Sequence, residues 1–214
     1  MHIRSDNRAD SLVVLDFETT GLSPDAGDRA IEIGAVKLEK GQVTDTFQQL
    51  MNPGRRVNAF IEQYTGITNK MLANAAPCDE VMAQFADFIG DSHLLAHNAS
   101  FDKKFLDAEF ARINHHYSGR FACTLLISRR LYQQAPDHKL GTLVRYKNLS
   151  TEGQFHRALF DSQMTAKLWQ QMLRDIHREY RINPVPFTLV EQLAKAKKSS
   201  VQSFFKNFHL INSV

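Results

Sequence analysis

Residues 11–18 read SLVVLDFE, and residues 19–22 continue TTGL. The first five are apolar or β-branched except for the leading serine, and the run ends in two acids on either side of Phe17. That is the pattern of a buried strand that delivers carboxylates to its C-terminal end. Asp16 and Glu18 stand two apart, so a strand places both side chains on one face of its sheet. Two acids on one apolar face are costly unless something positive holds them, or unless the strand end reaches solvent. The cluster of Gly, Pro, Asp and Ser that follows is turn chemistry.

Outward from this strand, residues 30–38 (AIEIGAVKL) and 43–50 alternate as two further strands, with Gly41 in the turn between them. The predicted opening is an antiparallel meander. Residues 80–89 carry Val81, Phe85, Phe88 and Ile89 at helical spacing. HLLAH at 93–97 reads as a short strand. Ser100 is placed to cap a helix with Phe101, Phe105, Leu106 and Phe110 along one stripe. Residues 125–132 and 140–146 read as short helices. Residues 158–180 give the longest helical pattern, with Leu159, Met164, Leu168, Met172 and Ile176 on one side. The predicted class is α/β, a mixed sheet flanked by helices.

The chain has 214 residues, 43% of them hydrophobic, which suits one ordinary domain. Its organisation is expected as a loose arm over 1–10, one domain over 11–182, and a basic helical tail over 183–214. No stretch reaches the roughly 18 apolar residues of a membrane span. The N-terminus lacks the apolar run of a secretory signal, and two scattered cysteines, Cys78 and Cys123, form no disulfide framework. The expected location is the cytoplasm. Net charge is only +3, and the tail matches it, with Lys195, Lys197, Lys198 and Lys206 against Glu191. The body is close to neutral, so it must meet any polyanion locally.

Three further residues join Asp16 and Glu18. Asp102 falls in the first turn of its helix, where the helix dipole favours a carboxylate. Asp161 lies near the start of the longest helix. His156, five residues earlier, is too far for the same helical face and suits the helix entry. Each has an ordinary structural explanation when taken alone. Together, four carboxylates from separate segments suit two hard cations such as Mg²⁺ or Mn²⁺. A neutral imidazole beside them suits a general base.

DFETTGL at 16–22, HNASFD at 97–102 and HRALFD at 156–161 resemble the three exonuclease motifs of the DEDDh family. That family includes the proofreading (epsilon) subunit of bacterial DNA polymerase III, ribonuclease T and oligoribonuclease. The resemblance runs from about residue 12 to 180. It implies a ribonuclease-H-like fold and a 3′→5′ exonuclease that releases nucleoside 5′-monophosphates. It also implies two Mg²⁺ or Mn²⁺ ions on Asp16, Glu18, Asp102 and Asp161, with His156 as general base. It lends substrate contacts to Thr19, Gly21, Leu22, Asn98 and Phe101. The partner implied is the 3′ end of nucleic acid, DNA favoured over RNA. An RNA-trimming exonuclease is the alternative, as is a proofreading or accessory nucleic-acid-binding module of a polymerase. The TGIT at 65–68 looks closer to the exonuclease domains of Gram-positive-type polymerases, and Phe160 stands where a smaller residue is usual. In the tail, residues 202–208 (QSFFKNF) loosely resemble a sliding-clamp peptide, which would make a polymerase or clamp the partner. The favoured reading is instead an amphipathic helix whose phenylalanines pack on the domain.

Overall fold

The computed structural model describes residues 7–151 and 156–212. Strands β1 (Leu12–Thr19), β2 (Ala30–Glu39) and β3 (Gln42–Asn52) form the expected antiparallel meander. Beyond β1, the short β5 (Leu94–Ala96) and β6 (Phe121–Cys123) add in parallel. The two-residue β4 (Ala76–Pro77) pairs with the far end of β3. The six strands run β4-β3-β2-β1-β5-β6, a mixed sheet.

Period 2 divides β1 between two cores. Val13, Leu15 and Phe17 pack with Phe85, Phe105 and Phe110 from α3 (Cys78–Ile89) and α4 (Ser100–Arg112). Leu12 and Val14 face the other way, toward Leu168, Trp169 and Met172 of α7 (Ala158–Tyr180). Asp16 and Glu18 continue the Leu12–Val14 row, so the strand carries them under the start of α7. There the helix backbone approaches the sheet at Gly34, opposite Asp16 in β2. A Cβ at Gly34 would lie 2.0 Å from the Leu159 nitrogen. Phe160, the unusually large residue, is buried against Val144 of α6 (Leu140–Tyr146) and against Met164.

The structure corrects several expectations. The arm over 1–10 is anchored where it is described, its first six residues lying outside the described ones. Ala9 is buried, its N–H donates to Val185 O at 2.9 Å, and its carbonyl accepts from Trp169 Nε1 at 2.7 Å. Ser100 is not a cap but the first helical residue. Asn98 turns the chain in the left-handed region, and its carbonyl accepts from Phe101 N, closing the first turn one step earlier. The helical stretch after 186 is two helices, α8 (Phe187–Lys195) and α9 (Val201–Asn212). Both sit on the α7 core. Phe187, Leu189, Val190 and Leu193 are buried in it, and Phe205 stacks on Tyr180 at 3.6 Å between centroids. Phe204 and Phe208 pack beside them, as the amphipathic reading expects. The last two residues of the tail lie outside the described ones. α5 (Thr124–Leu131) follows β6, close to its predicted place. Two short helices, α1 (Ala59–Thr65) and α2 (Asn69–Ala73), escaped the sequence reading. No helix among the described residues is long and apolar enough to cross a membrane.

Candidate active site

The end of β1, the start of α4 and the entry to α7 converge on a pocket of about 760 Å³. Asp16, Glu18 and Asp161 each bring a carboxylate oxygen to within 4.8 Å of the others. Asp102 lines the same pocket from α4, on the other side of β1. Its Oδ1 accepts from Phe17 N at 3.1 Å, so the strand that carries Asp16 and Glu18 also positions Asp102. Asp161 holds the helix entry, because its Oδ2 accepts from His156 N at 2.7 Å and Arg157 N at 3.2 Å. This bent entry puts His156 in the left-handed region, with φ 70°. The imidazole lies 4.0 Å from the Tyr64 ring, centroid to centroid.

The acids stand at an electrostatic cost. Burial pushes Glu18 up to about 8, and the charges of Asp161, Glu32 and Asp102 add to it. Burial raises Asp16 well above the carboxylate range, reinforced by Asp102, Asp161 and Glu18. Asp102 rises to about 7, again through burial, against the opposing Phe17 N–H bond. Asp161 is raised by burial and held back by the His156 N–H and charge. Low-dielectric surroundings and like charges both favour protonation, and the Arg157 charge only partly offsets them at Glu18. An all-oxygen donor set of this kind fits a hard divalent cation.

All ten residues singled out by sequence line this pocket, including Thr19, Gly21, Leu22, Asn98 and Phe101. The loop after β1 is braced internally. Thr19 Oγ1 donates to Gly21 O at 2.6 Å, and Asp28 accepts from Thr20 Oγ1 and Ser23 N, both at 3.1 Å. A Cβ at Gly21 would fall 2.4 Å from Asp28 Oδ2, so a side chain there would have to displace the Asp28 carboxylate from its brace. His97, the nearest competing histidine, is locked. Its Nδ1 meets Thr124 Oγ1 at 2.8 Å and its Nε2 meets His138 O at 2.9 Å. Burial lowers it to about 4, which leaves a neutral structural imidazole.

Sequence reasoning missed α1. Asn58 caps it by accepting from Ile61 N at 3.0 Å, and it brings Phe60, Ile61 and Tyr64 into the pocket lining. Phe60 and Tyr64 stack at 5.7 Å, and they are 68% and 50% exposed. The signal was present as an asparagine cap followed by two aromatics four apart, a helical neighbour spacing. Glu32 was also missed. It is a fully buried acid inside a segment read only as a strand.

A family model described as exonuclease matches residues 13–169. The chain belongs to the exonuclease family. The order of its acids and histidine is the DEDDh one, the type of a 3′-exonuclease, and this family depends on divalent metal. Among curated relatives, this exonuclease is 39% identical over 168 residues to the PolC-type DNA polymerase III of Bacillus subtilis, covering 78% of this chain and 12% of the relative. It is 33% identical over 202 residues to that of Thermotoga maritima, covering 93% and 14%. The chain thus spans about an eighth of the length of these relatives. Among solved structures, exonuclease X in complex with 5′-overhanging duplex DNA matches at a TM-score of 0.68 and 23% identity. That match covers 86% of this chain and 99% of the other. The nuclease domain of 3′hExo, a DEDDh family member bound to rAMP, matches at 0.66 and 24%, covering 78% and 92%. The fold of this exonuclease is accordingly the ribonuclease-H-like one that the resemblance implied.

Proposed function

We propose that this domain hydrolyses nucleic acid stepwise from its 3′ end, with single-stranded DNA preferred, and releases nucleoside 5′-monophosphates. The observation that carries the reading is the convergence of the Asp16, Glu18 and Asp161 carboxylates, beside Asp102 and His156, in one open pocket. Asp16, Glu18, Asp102 and Asp161 would hold two Mg²⁺ or Mn²⁺ ions. When bound, such ions polarise the phosphoryl oxygens and neutralise charge developing on the leaving oxygen.

The chain's own residues supply the rest. His156 accepts the proton of the attacking water as its oxygen bonds to phosphorus and the bond to O3′ breaks. Tyr64 covers one side of that imidazole and limits its rotation. Leu22 is 83% exposed and forms an apolar rim with Phe60 and Tyr64. Bases of a single strand stack on such surfaces whatever their identity. Thr19, Gly21, Asn98 and Phe101 contact the terminal nucleotide. The likeness to PolC-type polymerases supports a proofreading partnership with a polymerase in the cytoplasm.

The test is digestion of 3′- and 5′-labelled single-stranded DNA, duplex DNA and RNA with Mg²⁺ or Mn²⁺. The 3′ label leaves as a mononucleotide in the first turnover, the 5′-labelled strand shortens one nucleotide at a time, and chelator stops both. His156→Ala loses on the order of 10²–10⁴ in single-turnover rate, the range for a positioned general base. Internal cleavage, or full activity in excess chelator, refutes the proposal. Faster digestion of RNA overturns the DNA preference alone.

A further inference from the structure

We propose that Glu32 is a positioning residue that fixes the His156–Asp161 segment over the carboxylate cluster. The proposal deepens the exonuclease reading of the site and rests on it. Glu32 lies directly opposite Glu18 across β1 and β2, and it is 0% exposed. Its charge raises Asp16, Glu18 and Asp161 together. A fifth acid here aggravates the repulsion already described, so its presence calls for a compensating role.

Its contacts give that role. Oε1 accepts from Arg157 Nη2 at 2.7 Å and from Gln48 Nε2 at 2.9 Å. Oε2 accepts from Ala158 N at 3.0 Å and Arg157 Nε at 3.1 Å. Both oxygens are taken by donors, and Glu32 stands outside the three-acid group that converges for a metal. It acts on the site through its partners. Arg157 and Ala158 are the two residues that turn the chain from His156 into α7. Asp161 grips the same turn from the inside through the His156 and Arg157 amides, while its own N–H donates to Arg157 O at 3.0 Å. One short segment therefore sits between two carboxylates. Releasing the Glu32 side lets His156 and Asp161 shift together. The clamp also keeps the Arg157 cation near Glu18, where it opposes the rise in that acid.

The same device occurs a second time. Glu109 of α4, the helix that carries Asp102, accepts from Arg29 Nε and Nη2, both at 2.8 Å, and from Ala30 N at 3.2 Å. Each acid-bearing helix is thus tied to β2 by a glutamate that takes a forked arginine and the next residue's N–H. Forked arginine–carboxylate pairs fix orientation as well as distance, which is what such a support needs.

Glu32→Gln and Arg157→Leu in the full chain test the role, with Leu193→Ala as a destabilised control far from the site and Asp16→Asn as an inactive one. The readouts are Mn²⁺ affinity of the protein alone by calorimetry, kcat and KM on a single-stranded oligodeoxynucleotide, and a melting curve. Both clamp variants should lose about 10–100-fold in Mn²⁺ affinity or in kcat, the usual cost of removing a partner that orients metal ligands. KM should stay within about threefold, and Arg157→Lys should recover part of the loss. Leu193→Ala should keep Mn²⁺ affinity and lose activity only with its folded fraction. If Glu32→Gln does not fold, Arg157→Leu carries the test, since the Arg157 side chain is 38% exposed. Unchanged affinity and kcat in the clamp variants, or losses that follow the folded fraction as in Leu193→Ala, overturn the role of Glu32. An active Asp16→Asn overturns the reading of the site itself.

Discussion

Gly34→Ala should loosen the active site without touching a reactive group. The added Cβ would lie 2.0 Å from Leu159 N and 2.2 Å from the Ala158 carbonyl carbon. Both are backbone atoms of the first turn of α7, so no side chain can swing aside. Restoring an ordinary contact near 3.5 Å requires the helix start to retreat by about 1.5 Å, or β2 to buckle. Overpacking of this kind costs about 1–3 kcal/mol. The retreat also breaks the bond from Ser162 Oγ to Gly34 O, 2.8 Å long and buried, which adds about 1 kcal/mol. A total of about 3 kcal/mol lowers Tm by roughly 6–12 °C in a domain of this size. Activity should suffer more than stability. Asp161 and His156 ride on the displaced turn, and a misplacement of about 1 Å costs on the order of 10²-fold in rate. The assay is a melting curve beside single-turnover digestion of a 3′-labelled oligodeoxynucleotide at a temperature where the variant is fully folded. A variant that melts within about 2 °C of the parent and digests within about threefold of its rate would show that the helix start does not set the site's geometry.

Two further outcomes follow from the electrostatics and the core. Because folding raises Glu18 from 4.5 to about 8, the folded metal-free protein binds more protons than the unfolded chain between those values. Its stability in chelator should therefore fall as pH rises through that window, by a few kcal/mol at most. Added Mn²⁺ should flatten the dependence, and Tm that rises steadily from pH 5 to 8 in chelator would contradict the sign. Removing the chain after Tyr180 should unfold the domain or lower Tm steeply, since it strips Phe187, Leu189, Val190, Leu193 and Phe205 from the α7 core. A truncated protein with parental Tm would mean that α8 and α9 only rest on the surface.

Local pattern and chemistry carried much of this fold into the sequence. The alternation in β1, the acids two apart and the stripe of α7 each report a face, and a face is what a strand or helix needs in order to pack. The three motifs were legible because each keeps its pocket-lining acids and histidine within six or seven positions. What escaped depends on contacts between distant residues. Glu32 reads as one polar position in AIEIGAVKL until Arg157 is placed 125 residues later. The α1 helix is only seven residues long and too short for a periodic signal. The anchoring of Ala9 escaped because its partners, Trp169 and Val185, lie far along the chain. Ser100 failed as a cap because the preceding Asn98 had already turned the backbone.

That anchor has a consequence for how the two ends of the α7 core come apart. Arg8 forms an antiparallel bridge with Pro186, and Ala9 bonds to Val185. The chain therefore enters β1 and leaves α7 at a single stitched point. The crossing closes residues 8–186 into one loop, while α8 and α9 continue past it onto the same core. Loosening of the N-terminal stretch and release of the segment before α8 are thereby coupled, so the Ala9 amide should exchange its hydrogen only when both open together.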